Sequence, residues 1–111
     1  MNELSLDKLR QALDYIQEHL GEDISLEAIA NYLNISQYHF SHLFKESMGI
    51  SPYQYVLQQR VERAKQLLKQ RELTIAEITV ECGFANQAHL FKHFHKFLGM
   101  SPTKYRSYLI D

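Results

Sequence analysis

The sequence predicts an all-α protein of seven helices, with two helix-turn-helix units joined by one long linker helix. Three observations lead to this prediction. Apolar residues recur at helical spacing through most of the chain. Only four glycines and two prolines interrupt it, and each proline follows a serine, as at a capped helix start. Finally, one stretch of sequence occurs twice.

The repeat relates residues 36–55 to residues 86–105 at an offset of 50, reading SQYHFSHLFKESMGISPYQY and NQAHLFKHFHKFLGMSPTKY. A repeat at fixed spacing indicates a repeated structural unit. Each copy predicts a helix, a glycine just beyond its end, and a Ser-Pro start of the next helix. The identical positions are Gln37/Gln87, His39/His89, Phe44/Phe94, Gly49/Gly99, Ser51/Ser101, Pro52/Pro102 and Tyr55/Tyr105.

The first three helices are expected near residues 5–20, 26–33 and 36–48. The first has apolar residues spaced by three or four, and Gly21 follows the pattern. Ser25 and Ser36 are suitable N-caps for the next two, and Asn34 tolerates the left-handed backbone of a tight turn. Two helices with such a turn predict a helix-turn-helix unit over about residues 26–48. For one copy alone, an ordinary helical hairpin is the alternative.

The other four helices are expected near residues 52–70, 75–82, 87–98 and 102–110. The linker helix over 52–70 would be roughly 30 Å long. That length suits two recognition helices in successive major grooves, which lie about 34 Å apart. In the second unit, over about 75–98, Thr74 and Glu77 predict a capping box, and Gly83 takes the turn position of Asn34. Residues 1–111 are interpreted as one domain, with two very small domains that share the linker helix as the alternative.

Composition restricts the class of protein. The net charge is −1, but residues 1–28 carry seven acidic and two basic residues, and residues 29–111 carry six and ten. This asymmetry predicts a basic face suited to a polyanion, although scattered surface charge is an equal alternative. The single Cys82 suits a reducing cytoplasm. No apolar run is long enough to span a membrane, and no secretory signal is visible.

The repeat, the segment RVERAKQLL and the segment ECGFANQAHLFKHFHKFLGMSPTKYR strongly resemble the DNA-binding domain of AraC/XylS-type transcription regulators. The resemblance extends from about Leu6 to Tyr108. It implies a bacterial, cytoplasmic protein that binds double-stranded promoter DNA, acts with RNA polymerase and activates or represses transcription without a cofactor. The chain is either an excised C-terminal domain, which we favour, or a stand-alone regulator. Alone, it is expected to be a monomer because it has no heptad seam.

The resemblance also implies which residues contact DNA. Lysine and helix N-termini suit phosphates, glutamine suits adenine, and apolar side chains suit thymine methyl groups. Family members often carry arginine at position 42 and a small polar residue at position 91, and an arginine like Arg60 is usually structural. Base contacts are expected from Tyr38, Ser41, His42, Gln87, Ala88, His89, Phe91 and Lys92. Phosphate contacts are expected from Ser36, Lys45, Asn86, His95, Lys96, Lys104 and Arg106.

The histidines raise the alternative of a metal site. His89 and His93 lie four residues apart, a spacing that zinc ligands use on helices. No third ligand follows from the sequence, and His93 replaces Leu43 of the first copy, so a partly buried packing role is favoured.

Two other classes of function were weighed. A protein-interaction module without specific DNA binding is the alternative that a gel-shift experiment would distinguish. An enzyme is not indicated, because the sequence shows no paired carboxylates, nucleophile with base, or phosphate-binding glycine loop.

Overall fold

The computed structural model describes residues 5–109, which form seven α-helices and contain no strand. This confirms the predicted all-α class and the order of its elements. No helix within residues 5–109 is long and apolar enough to cross a membrane. The helices are α1 (Leu6–Glu18), α2 (Leu26–Leu33), α3 (Gln37–Met48), α4 (Pro52–Leu68), α5 (Ile75–Glu81), α6 (Gln87–Leu98) and α7 (Pro102–Ser107).

Helix α1 ends at Glu18, earlier than the predicted residue 20 and before Gly21. His19 leaves the helical conformation, with φ −110° and ψ 19°. Leu20 is still only 1% exposed, because its side chain reaches the core from the turn. The apolar spacing therefore continues beyond the end of the helical backbone.

The predicted ends of α4 and α7 were also too late, and that of α5 by one residue. After α4, the amides of Lys69 and Gln70 donate to carbonyls three residues earlier, at 3.3 and 3.0 Å, which tightens the chain into a turn. The amides of Tyr108 and Leu109 do the same after α7, at 3.0 Å each. The last predicted position of that helix, residue 110, lies outside the described residues.

The chain divides into two compact units, with the boundary between Val56 and Leu57 inside α4. Each unit has its own hydrophobic core. The first core consists of Ala12, Ile16, Leu20, Ile29, Ala30, Leu33, Phe40, Leu43, Phe44 and Val56. The second consists of Leu57, Val61, Ala64, Leu68, Ile78, Cys82, Phe84, Leu90 and Phe94.

The sequence repeat appears in the structure as repeated packing. Phe44 and Tyr55 meet edge to face, with ring centroids 5.7 Å apart and an interplanar angle of 65°. Phe94 and Tyr105 meet in the same way, at 5.5 Å and 69°. Each pair joins the helix of one copy to the Ser-Pro helix that follows it, so both copies hold that helix by the same aromatic contact.

Two side chains of the second unit have structural roles that limit their chemistry. Cys82 is fully buried, and burial, with a smaller contribution from the Glu81 carboxylate, raises the pKa of its thiol to about 12 despite the nearby Arg63 and Arg60. Its thiolate is therefore not available as a nucleophile. Arg60 is only 9% exposed, in agreement with a structural role in α4.

Candidate nucleic-acid interface

The turns that present α3 and α6 are built alike. Asn34 and Gly83 both adopt left-handed backbone conformations, with φ of 65° and 82°. The next amide then reaches back to the preceding helix: Ile35 N donates to Ala30 O at 3.0 Å, and Phe84 N donates to Thr79 O at 3.1 Å. This six-to-one hydrogen bond closes a helix end and redirects the chain. Both helix-turn-helix units predicted from the sequence therefore share one turn geometry.

Each of the helices α3 and α6 begins at a capped residue. The Ser36 hydroxyl accepts from His39 N at 3.1 Å, and Asn86 Oδ1 accepts from His89 N at 2.8 Å. The Ser36 O–H and the Asn86 NH2 group are not used in these caps and can still donate. The two predicted phosphate-contacting caps thus lie at helix N-termini, where the backbone favours anions.

The outer face of α3 brings together the residues predicted for the first unit. Tyr38 is 83% exposed, and its ring lies parallel to that of His42, with centroids 6.3 Å apart and an interplanar angle of 8°. Ser41 and Lys45 line the same shallow depression. Glu46, the only acidic residue of α3, also lines this depression. The sequence interpretation did not include it.

The outer face of α6 carries more positive charge. Gln87, Ala88, Lys92 and His95 are exposed, as predicted, and so is Lys96. Helix α6 contains no acidic residue, and Lys96 occupies the position that Glu46 takes in the first copy. The second recognition helix is therefore the better match to a polyanion.

Three of the predicted base-contacting residues are half-buried: Ser41 in α3, and His89 and Phe91 in α6. Phe91 is half-buried and packs against the second core. His89 is also half-buried, and its Nδ1 is buried without a hydrogen-bond partner. For His89 the physical reason is its contact with the rings of Phe84 and His93, at centroid distances of 5.4 and 4.6 Å, where the first copy has Ile35 and Leu43.

Arg106 has a different role from the phosphate contact predicted for it. Its Nε donates to Leu68 O and its Nη2 to Gln70 O, both at 3.1 Å. The first bond satisfies a carbonyl group at the end of α4, and the second adds a donor to Gln70 O, which also accepts from Leu73 N at 3.0 Å. Lys104, by contrast, has an exposed side chain. We therefore keep Lys104 among the candidate phosphate contacts and assign Arg106 to the joint between α7 and α4.

His93 has the partly buried packing position predicted for it, with 7% exposure. Burial lowers the pKa of its imidazole, and His89, Lys92 and Lys96 lower it further. Within residues 5–109, no three His, Cys, Asp or Glu side chains are placed to hold a metal ion.

The lowered pKa of His93 predicts that acid weakens the fold. The unfolded chain binds a proton near the ordinary histidine pKa, whereas the folded state resists it, so stability is complete above about pH 6.5 and is lost as pH falls below it. His93→Leu, which restores the first-copy residue, should reduce the loss of melting temperature between pH 7.5 and pH 5.5. His95→Gln, at an exposed histidine of the same helix, should retain that loss. Equal losses in wild type and His93→Leu would contradict the assignment.

Comparison with known proteins gives consistent matches. Residues 29–108 match the model of a family described as a helix-turn-helix domain. The probable transcriptional regulator LumQ of Photobacterium leiognathi is 36% identical over 110 residues, covering 97% of this chain and 44% of LumQ. The HTH-type transcriptional regulator GbdR of Pseudomonas aeruginosa is 34% identical over 99 residues, covering 89% of this chain and 27% of GbdR. The chain thus spans less than half the length of these relatives.

Two solved structures are similar over nearly their whole length. A transcriptional regulator with an AraC-type DNA-binding domain, from Chromobacterium violaceum, has 30% identity and a TM-score of 0.87, with 95% of this chain and 94% of that chain covered. The DNA-binding domain of AdpA, a global transcriptional factor crystallised with a target DNA, has 32% identity and a TM-score of 0.85, with 91% of each chain covered.

Proposed function

This chain belongs to the AraC-type family of helix-turn-helix transcriptional regulators, and we propose that it binds double-stranded promoter DNA sequence-specifically, with α3 and α6 as recognition helices. The observation that carries this proposal is the pair of matching turns, each of which presents a capped helix with a polar outer face. Structural similarity to the AdpA domain, which was crystallised with a target DNA, supports it.

Within this proposal, some side chains contact the edges of the DNA bases, and others contact the phosphates of the DNA backbone. Base edges are assigned to Tyr38, Ser41, His42, Gln87, Ala88, His89, Phe91 and Lys92, and phosphates to Ser36, Lys45, Asn86, His95, Lys96 and Lys104. For Phe91, half-buried against the core, only the exposed part of the ring remains for a thymine methyl group.

We further propose a role in promoter complexes with RNA polymerase in the bacterial cytoplasm, by binding and without catalysis. The description of LumQ and GbdR as transcriptional regulators supports this role. We expect the 111-residue chain alone to be monomeric. Sedimentation at micromolar concentration tests this point, and a tight dimer would contradict it.

Selection from a random duplex library tests the proposal and identifies the operator in one experiment. We expect a preferred site of about 15–20 base pairs, as two recognition helices would cover. Recovery of no preferred sequence would overturn specific binding and favour the protein-interaction alternative.

Salt dependence gives a second, quantitative prediction. If Lys45, Lys96 and Lys104, the lysines assigned to phosphates, each displace one counterion, affinity should fall roughly fortyfold between about 50 and 200 mM salt. Fluorescence anisotropy on the selected duplex measures this slope. An affinity independent of salt would contradict phosphate binding by these lysines.

A further inference from the structure

Three rings in the second unit, those of Phe84, His89 and His93, form a cluster at positions that the first copy fills with Ile35, His39 and Leu43. Phe84 and His93 lie nearly parallel, with an interplanar angle of 16° and centroids 6.4 Å apart. His89 stands perpendicular to both, at 85° to Phe84 and 81° to His93, with centroids 5.4 and 4.6 Å away. The rings of Phe84 and His93 therefore constrain the orientation of the His89 ring through two edge-type contacts.

Of the two ring nitrogens of His89, only Nδ1 is buried without a hydrogen-bond partner. A neutral imidazole carries its hydrogen on one nitrogen only. Placed on Nδ1, that hydrogen would form a buried donor without an acceptor, an arrangement that is rare in folded proteins. Placed on Nε2, it remains available to water or to a ligand. The packing therefore favours the Nε2–H tautomer.

We propose that Phe84 and His93 form an aromatic seat that fixes His89 as its Nε2–H tautomer and so makes it an oriented hydrogen-bond donor to a base edge. The acceptors that such a donor can reach in the major groove are guanine O6 and N7, adenine N7 and thymine O4. His89 is then a contact residue, and Phe84 and His93 are positioning residues. This inference rests on the proposed DNA-binding function.

The first copy provides an internal comparison. His39 occupies the position equivalent to His89, but it is exposed, and Ile35 and Leu43 replace the two rings of the seat. Nothing in that arrangement selects one tautomer of His39. Two histidines at identical repeat positions thus differ in how strongly their surroundings orient them.

The lowered pKa of His93 supports a neutral ring within the seat. The groups that lower it besides burial are His89, Lys92 and Lys96, all on α6. Arg60 and Arg63 of α4 and Glu81 of α5 affect the pKa of Cys82. They are not among the groups that lower the pKa of His93.

Histidine nitrogen spectra test the tautomer without DNA. Long-range proton–nitrogen correlation spectra of the labelled chain at pH 8 should show Nε2–H for His89 and a tautomer mixture for His39. Phe84→Ile and His93→Leu each install the first-copy residue and should shift His89 towards a mixture. Either variant suffices if the other fails to fold, as judged by circular dichroism. A dominant Nδ1–H tautomer in wild type would overturn the seat.

Binding to the duplex chosen by random selection tests the consequence. His93→Leu and His89→Ala should each lower the ratio of cognate to scrambled affinity roughly five- to tenfold, as expected for one directed base contact. If His93 acts through His89, the double variant should lose no more than His89→Ala alone. His39→Ala serves as the matched control, with a smaller loss.

The outcomes separate the two proposals. Absence of any sequence preference in wild type overturns the proposed function and this inference with it. A preference that persists in His93→Leu, or a double variant whose losses add, overturns the seat while leaving DNA binding intact.

Discussion

Replacing Phe94 by alanine should lower the free energy of unfolding by about 3–5 kcal/mol, the cost of deleting a fully buried phenylalanine. Phe94 is 0% exposed and belongs to the core that supports α6. Its loss leaves a cavity and removes the edge-to-face contact with Tyr105. Since small domains have only about 5–15 kcal/mol of stability in total, this variant should melt far below wild type.

The helices that lose hydrogen-exchange protection in Phe94→Ala provide a second test of the two separate cores. Because the two cores share no residue, hydrogen-exchange protection should be lost first in α5, α6 and α7. Phe44→Ala, at the equivalent position of the first copy, should instead reduce protection first in α2 and α3.

An exposed position on the same helix gives the control for Phe94→Ala. Lys92→Ala should change stability by less than about 0.5 kcal/mol. A loss below about 1 kcal/mol in Phe94→Ala would mean that the second core is not built around this ring.

Features that depend on neighbouring residues were predicted correctly. The N-caps Ser25 and Ser36 and the turn residue Asn34 form hydrogen bonds with residues three or four positions away, so the sequence alone shows their partners. The capping box is equally local: Thr74 N donates to the Glu77 carboxylate at 2.9 Å, and Glu77 N donates to Thr74 Oγ1 at 3.0 Å. These caps lie at helix starts, and the predicted starts agree with the structure to within one residue.

Helix ends and long-range contacts were predicted less well, because distant residues determine them. Lys8 Nζ donates to Leu33 O at 2.8 Å, across 25 positions, and closes the end of α2. Arg106 reaches the end of α4 across 38 positions. No local pattern distinguishes these two long cationic side chains from exposed ones, which is why Arg106 was assigned to a phosphate.

The recognition faces show the same limit. Helical periodicity places Phe91 and His89 on or near the outer face of α6. It does not take into account the size of the side chains against which the helix packs. Phe84 from the preceding turn and His93 from the next turn of the helix both contact His89, and its ring is half-buried where the equivalent His39 is exposed. Aligning the two copies shows Phe84 in place of Ile35 and His93 in place of Leu43. This comparison was the sequence signal that could have predicted a different environment for His89.

The second recognition helix should set sequence preference more sharply than the first. Gln87 is exposed at the start of α6, and an amide can pair with adenine N6 and N7 through two hydrogen bonds, a contact that contributes about 1–3 kcal/mol of discrimination. In α3, Tyr38 and His42 stack on each other and offer single, less selective hydrogen bonds. Glu46 beside them opposes the approach of phosphate.

Gln87→Ala should therefore weaken cognate binding by roughly five- to a hundredfold and relax one base position. Binding to a scrambled duplex should change little, because glutamine carries no charge. His42→Ala should cost less discrimination than Gln87→Ala, since its ring offers a single hydrogen bond where the glutamine amide offers two. Both variants should be measured on cognate and scrambled duplexes at pH 6 and pH 8. If His42→Ala costs more discrimination than Gln87→Ala at pH 8, then α3 and not α6 is the principal reader of sequence.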